Sequence, residues 1–368
     1  MAMVRVAQIM GYMNGGGVES VVMNYYRHIN REHVQFDFIV CEGSTQVPKR
    51  EIESLGGRVF MVPPYSDLIG YQKVLIFLFR EQCWNIVHSH MNTLSVFPLR
   101  AANRAGVPIR IAHSHSSGGG GEGEAARDLL KTLLKQFSRV YPTHLLACSH
   151  VAGDWLFGSN SGYEVLPNAI DIASFAPDES LRIQARRNLG IADETFVVGH
   201  IGRMAPPKNH RMLLSIFREL LEFNPDSILL LIGDGPLMEQ VRQTARDMGV
   251  SDRVCFYGQK GDTAMFYRAF DVFCLPSLYE GLPVVGIECQ ASETPILASN
   301  AVTPETKVTS LMDFESLDSS PRAWAKHLFS MRGRALGQND RDSLSTFDVN
   351  CTAYDLECIY ENCLVGVQ

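Results

Sequence analysis

Two glutamates stand eight positions apart in the segment Pro276-Ser277-Leu278-Tyr279-Glu280-Gly281-Leu282-Pro283-Val284-Val285-Gly286-Ile287-Glu288. The apolar residues between them imply burial, where a lone carboxylate is costly, so a partner or ligand is expected. A helix is predicted to start near Pro283. That puts Glu280 in the loop before it and Glu288 in its second turn. The first N–H groups of such a helix can bind a phosphate. Each carboxylate offers two acceptor oxygens, Glu280 to sugar hydroxyls and Glu288 to a ribose diol. Upstream, Gly199-His200-Ile201-Gly202-Arg203 leads into Met204-Ala205-Pro206-Pro207-Lys208-Asn209-His210. An arginine fork and a lysine point charge at a strand's carboxyl end suit a diphosphate.

Three further groups invite chemistry. Gly11-Tyr12-Met13-Asn14-Gly15-Gly16-Gly17-Val18-Glu19 leaves a strand and opens a helix, a place where backbone can approach an anion closely. It is not the dinucleotide fingerprint, because Ser20 stands where the third glycine belongs. Ile232-Gly233-Asp234-Gly235-Pro236-Leu237 is a second glycine turn, with Pro236 expected at the first helical position. It serves either as a tight turn or as room for a nucleobase. His88-Ser89-His90 and His113-Ser114-His115 end two predicted strands, so each pair can turn two imidazoles to one face. A metal site, polar contact with a sugar or its phosphate, and histidines satisfied within the fold are all open readings. The metal reading lacks an identifiable carboxylate partner.

The elements that carry these groups alternate. Val4–Met10, Phe36–Cys41, Arg58–Val62, Trp84–His88, Ile109–His113 and His144–Cys148 read as strands. So do Phe196–Ile201, Ile228–Ile232, Val254–Phe256, Val272–Leu275 and Pro295–Ala298. Their apolar runs imply parallel strands covered by helices on both faces. Helices are predicted over Glu19–Ile29, Asp67–Glu81, His210–Phe223, Pro236–Met248 and Thr352–Val365. The turn-rich Leu166-Pro167-Asn168-Ala169-Ile170-Asp171 breaks the alternation. The fold class is therefore α/β, with two doubly wound Rossmann-like domains, over 1–170 and 171–351. The 368-residue length agrees with two domains of roughly 100–200 residues each.

Bulk composition excludes some classes. The net charge of −7 argues against nucleic acid as a partner. Nine scattered cysteines without a CxxC pair predict a reduced protein without structural zinc. No signal-peptide pattern precedes the first strand, and no apolar run nears the ~18 residues of a membrane span. A cytoplasmic protein is expected. Arg127, Lys131, Lys135 and Arg139 recur beside Leu130, Leu133, Leu134, Phe137 and Tyr141. Residues 127–141 thus predict either a helix packed on the sheet with its charges in water or one lying peripherally on an anionic membrane. Ser116 to Gly123 reads as a glycine-rich loop bordering the site or as a surface linker. Asp340-Arg341-Asp342 has the form of a metal-binding DxD, but reads as a solvated surface run.

Arg203 with Lys208, and Glu280 with Glu288 in their Pro-Ser-x-x-Glu-Gly context, resemble the motifs of glycosyltransferase family 4. Asn14–Tyr26, Phe36–Val40, Ile86–Met91, Arg110–Ser116, Val198–His210 and Asp271–Ser292 are similar to its exopolysaccharide and capsular-polysaccharide branch. The resemblance implies a GT-B fold and a retaining transferase taking a sugar, of hexose type, from a nucleotide-sugar donor such as a UDP-sugar. It implies a glycan or lipid-linked acceptor and no metal or other cofactor. It implies that His115 touches the donor sugar, that Arg203 and Lys208 bind the diphosphate, and that Glu280 and Glu288 hold sugar and ribose. Gly16 and Gly17 would lie against the diphosphate. Gly202, Gly233, Gly235, Gly281, Leu282, Pro283 and Val284 would complete the donor side, His90 and Ser116 the acceptor side. The helix over 352–368 would pack back on the first domain. Glu293, where the family usually has glycine, departs from the pattern and bears on the local turn. A nucleotide-dependent dehydrogenase also uses a glycine loop, with Glu42 as its ribose acid, but gives no reason for the second-half cations and glutamates. A degenerate, binding-only relative and a metal hydrolase built on the histidines complete the alternatives.

Overall fold

The computed structural model describes residues 3–116, 125–337 and 339–366, and within the helix Ala125–Lys135 the side chains from Leu129 onward. Most of the Ser116–Gly123 loop and the side chain of Arg127 lie outside the described residues. The chain forms two compact units, Met1–Ala169 with Phe347–Gln368, and Ile170–Thr346.

Unit 1 holds a seven-stranded parallel sheet. Its strands are β1 Val4–Gly11, β2 Val34–Cys41, β3 Arg58–Val62, β4 Ile86–Ser89, β5 Ile109–Ser114, β6 His144–Ala147 and β7 Glu164–Val165. Their order is β3-β2-β1-β4-β5-β6-β7. Strand order reverses between β1 and β4, the kind of switch point outside which ligands bind in open α/β sheets. β2 is buried along its whole length, its apolar run Phe38-Ile39-Val40 covered on both faces. Its one acid, Asp37, is fully buried and takes hydrogen bonds from Arg5, Arg58 and the Trp84 indole. Burial by itself would raise the Asp37 pKa, but these donors pull it down to about 2.

Unit 2 holds a six-stranded sheet of β8 Phe196–Ile201, β9 Ser227–Ile232, β10 Val254–Gly258, β11 Val272–Leu275, β12 Ile296–Ser299 and β13 Met312–Glu315. The order β10-β9-β8-β11-β12-β13 puts the switch point between β8 and β11. Successive residues of β9 serve opposite cores. Leu229 and Leu231 pack with Leu213, Phe217 and Trp324, whereas Leu230 and Ile232 pack with Phe266, Phe270 and Cys289. Period-two alternation thus survives, hidden in sequence because both faces are apolar.

Several expectations shift. The helix after β9 is Met238–Asp247, so Pro236 precedes it and is not its first residue. The Leu237 N–H instead donates to the Met204 carbonyl, tying this turn to the loop after β8. Neither β7 nor β13 was legible. β7 is two exposed residues, and β13 mixes Met312 and Phe314 with Asp313 and Glu315 at the sheet edge. The DxD run lies at the surface as expected, with Arg341 and Asp342 exposed, and it is helical. Asp340 opens the helix Asp340–Ser345 and accepts from the Ser310 hydroxyl and from the Gly337 and Ser310 N–H groups. The final helix, Val349–Val365, starts earlier than Thr352 because Asp348 caps it and Val349 is fully buried. It packs on the helix Gly17–His28 of unit 1, where the Asn30 N–H donates to Glu357. Among the described residues, no helix is long and apolar enough to cross a membrane.

Candidate active site

In unit 2 the loops at the carboxyl ends of β8 and β11 meet at the switch point. Pro206–Lys208 forms a 3₁₀ turn, followed by Asn209 in the left-handed region at φ 52°. The two prolines fix φ just where the lysine must be aimed. The Leu278 N–H donates to the Pro207 carbonyl at 2.8 Å and joins the two loops. Lys208 Nζ then donates to Glu280 Oε1 at 2.5 Å, and the Ser277 hydroxyl to the same oxygen at 3.0 Å. Both charged side chains are largely buried, with 17% and 16% exposure, so the pair is far less screened than a surface ion pair. Arg203, on the same loop, is exposed. Beneath Lys208 lie the buried imidazoles of His200 and His210. Burial and the neighbouring lysine lower the His210 pKa to about 4.

Glu280 is followed by the helix Val284–Ala291, with Pro283 at its N-cap and no side chain capping it. Glu288, in the second turn, accepts the Tyr267 hydroxyl at 2.6 Å. Burial raises its pKa to about 7, against the pull of the tyrosine hydrogen bond. The structure thus joins Lys208 to Glu280 and gives Glu288 a partner of its own. Gly233 and Gly235 have a local explanation. A Cβ on Gly233 would stand 2.0 Å from the Gly202 carbonyl oxygen, and one on Gly235 2.6 Å from that of Met204. The glycines let the loop after β9 press against the loop after β8. Ser277, Tyr267, His200 and His210 were not singled out in the sequence. Ser277 lay inside the glutamate motif and His200 and His210 inside the cation motif, whereas Tyr267 had no nearby signal.

In unit 1 the glycine loop folds around its own acid. The Glu19 carboxylate accepts the N–H groups of Asn14 at 3.0 Å and Gly15 at 2.6 Å, with Gly15 at φ 82°. Gly16 is the N-cap and Gly17 the first helical residue. An acid in the first turn complements the helix dipole, and Glu19 engages the N–H groups of Asn14 and Gly15, just before the Gly16 and Gly17 expected to lie against the diphosphate.

The histidine pairs converge below the carboxyl ends of β4 and β5. His88 Nε2 lies 3.2 Å from His113 Nδ1, and His90 Nδ1 2.9 Å from His115 Nε2. His88 Nδ1 meets the Tyr360 hydroxyl at 2.8 Å, His90 Nε2 meets Gln8 Oε1 at 2.8 Å, and His115 Nδ1 meets Asn168 Oδ1 at 3.1 Å. All four rings are buried. Burial, and for the first three the neighbouring imidazoles, keeps His88, His90 and His113 well below the usual histidine value, and burial takes His115 to about 4. They are neutral at neutral pH. Potential ligand atoms of His88, His90 and His113 lie within 4.8 Å of one another, a spacing a metal ion could span. Both His115 nitrogens are engaged within the unit, so a sugar would have to replace one of these bonds. Ser116, beyond His115, is half-buried.

On the helix Ala125–Lys135 and the turns after it, Leu134 is buried but Leu129, Leu130, Leu133, Phe137 and Val140 are exposed. This corrects the expectation of an apolar face packed on the sheet. Lys135 lies over the Trp155 ring at 5.4 Å, and Arg139 is exposed.

Comparison with known proteins gives two family matches. Residues 16–169 match the glycosyl transferase 4-like domain and residues 182–310 the glycosyl transferases group 1. The putative glycosyltransferase EpsF of Bacillus subtilis is 36% identical over 346 residues, covering 92% of this chain and 90% of that protein. The UDP-Gal:alpha-D-GlcNAc-diphosphoundecaprenol alpha-1,3-galactosyltransferase of Escherichia coli is 28% identical, covering 77% and 76%. Among solved structures, Anabaena Alr3699/HepE in complex with UDP and glucose superposes with a TM-score of 0.80 at 16% identity, over 97% of this chain and 99% of that one.

Proposed function

The chain belongs to the family 4 glycosyltransferases and has their GT-B fold, and from that premise we propose that it moves a hexose, with retained configuration, from a UDP-sugar to a glycan or lipid-linked acceptor during exopolysaccharide or capsule assembly. One observation carries the reading: the shielded Lys208–Glu280 pair at the β8/β11 switch point. Departure of UDP builds negative charge on the β-phosphate. Lys208, Arg203 and the uncapped helix start at Val284 supply fixed positive potential there, the dominant kind of catalytic term. Glu280, oriented by Lys208 and Ser277, accepts hydrogen bonds from sugar hydroxyls. Glu288 takes the ribose diol. These cations stabilise the leaving group by themselves, so the reaction needs no metal.

The preference for UDP, for a hexose and for a lipid-linked acceptor draws on the E. coli relative, whose donor is UDP-galactose and whose acceptor is a diphosphoundecaprenol-linked sugar. Retention follows if the acceptor attacks on the face that the leaving group vacates. A covalent route would need a carboxylate nucleophile, and Glu280 is already held by Lys208 and Ser277. Lys208→Ala and Glu280→Gln should each lower turnover by roughly 10²–10³-fold, with melting little changed. Measured rates near wild type in both variants would remove the proposed site. The same assay, run with EDTA and with the product anomer read by NMR, tests metal independence and retention.

Residues 127–141 support peripheral contact with an anionic membrane, since the exposed leucines and Phe137 adjoin Lys135 and Arg139. Co-sedimentation with phosphatidylglycerol vesicles that is weakened by salt is the expected result. Equal recovery with and without vesicles would exclude it.

A further inference from the structure

The Tyr360 hydroxyl, the Gln8 amide and the Leu166 backbone together favour one proton order for the four histidines. Gln8 Nε2 donates to the Tyr360 hydroxyl at 3.0 Å, so the single Tyr360 proton goes to His88 Nδ1. His88 therefore carries its proton on Nε2 and donates it to His113 Nδ1. The His113 proton is then on Nε2, an atom without a normal hydrogen bond, although the Leu166 backbone acts on this ring as an acceptor. On the other side of the amide, Gln8 Oε1 accepts from His90 Nε2. His90 Nδ1 is left with a lone pair, which takes the proton of His115 Nε2. Every ring is the Nε2–H tautomer. This order needs the Asn168 amide turned over, because its oxygen faces His115 Nδ1, whereas the reverse order needs the Gln8 amide turned over and also sets a His113 lone pair against the Leu166 backbone.

Resting on the transferase reading of His115, we infer that His90, Gln8 and Tyr360 are positioning residues that lock the His115 imidazole as its Nε2–H tautomer, so that Nδ1 is presented as a hydrogen-bond acceptor for a substrate hydroxyl. The Asn168 side-chain oxygen stands 3.1 Å from Nδ1, so this tautomer has the Asn168 amide turned over, its NH2 donating to Nδ1 until a substrate hydroxyl takes that place. Tyr360 comes from the final helix, 272 positions beyond His88, so that helix sets the order of the array. The cavity beside the rings, about 10 Å³, is lined by Gln8, Tyr360 and apolar residues including Val22, Phe36 and Leu356. Among the described residues no charged side chain lines it, so a divalent metal would bring unbalanced charge into an apolar wall, where its desolvation cost is severe.

Tyr360→Phe tests this with nearly constant volume. It removes the acceptor that fixes the Gln8 amide and the donor to His88. In ¹⁵N-histidine spectra of the full chain, His90 and His115 should be Nε2–H in wild type and a mixture of tautomers in the variant. The turnover number should fall about tenfold, the worth of one ordered hydrogen bond. UDP affinity and the melting point should change little. If Tyr360→Phe folds poorly, Gln8→Met, which removes both the donor to Tyr360 and the acceptor for His90, gives the same readout. Wild-type rings in the Nδ1–H form, or unaltered tautomers and turnover in the variant, would overturn the inference. So would a stoichiometric metal found by elemental analysis of the purified protein. Lack of transferase activity in wild type would strike the function but leave the spectra to decide the tautomers.

Discussion

Glu288 shows how a single residue links burial to function. Its folded-state pKa of about 7 lies above the ordinary 4.5. Between those values the folded protein keeps a proton that the unfolded chain has released, so stability is greatest below 4.5 and falls as pH rises to about 7. The slope is at most roughly 1.4 kcal/mol per pH unit. Glu288→Gln should flatten that window in denaturant titrations. A ribose diol donates to the ionised form, so UDP should bind more tightly above about pH 7 than below it, and calorimetry on the variant should lose this dependence. A wild-type affinity independent of pH would separate Glu288 from the nucleotide. The sequence signalled that this glutamate needed a partner, because its neighbours were apolar. It did not reveal Tyr267, which is 21 positions away.

At the scale of elements, the turn after the helix Val284–Ala291 stands out. Glu293 sits there at φ 55°, the left-handed region in which glycine is at ease and a side chain is strained. This is the position where the family pattern has glycine, so the departure noted in sequence coincides with a backbone demand. Glu293 partly compensates by pairing with Arg341 at 3.1 Å, but that arginine is 77% exposed and the pair contributes little. Glu293→Gly should therefore stabilise unit 2 by roughly 0.5–1 kcal/mol, seen as a rise in melting temperature. A drop would mean that the Arg341 contact outweighs the strain. Strands were legible to within a residue or two wherever apolar runs were long, as in Phe196–Ile201, and at the edges β3 and β10, but not at the edges β7, which is two exposed residues, and β13, where acids alternate with Met312 and Phe314.

At the scale of the molecule, the chain leaves unit 1 after Ala169 and returns to it at Phe347. The final helix buries Val349, Ala353, Leu356, Tyr360 and Cys363 in unit 1 and supplies the hydroxyl that orders the histidines. Truncation after Thr346 should therefore unfold unit 1 and leave unit 2 cooperative, so calorimetry should retain one of two transitions. Two intact transitions would show the helix to be dispensable. By itself the sequence determined the α/β alternation, the division near residue 170 and the short motifs proposed for the site. Those properties are written in local periodicity and in short spacings. Only the tertiary structure decided strand order, and with it the two switch points, the pairing of Lys208 with Glu280, and the closure of Glu19 over its own glycine loop. It also decided that Tyr360 and Gln8, 352 positions apart, order the histidine array. Such contacts depend on which strands become neighbours and which helix covers them. That is settled by packing across the whole core, which no local pattern encodes.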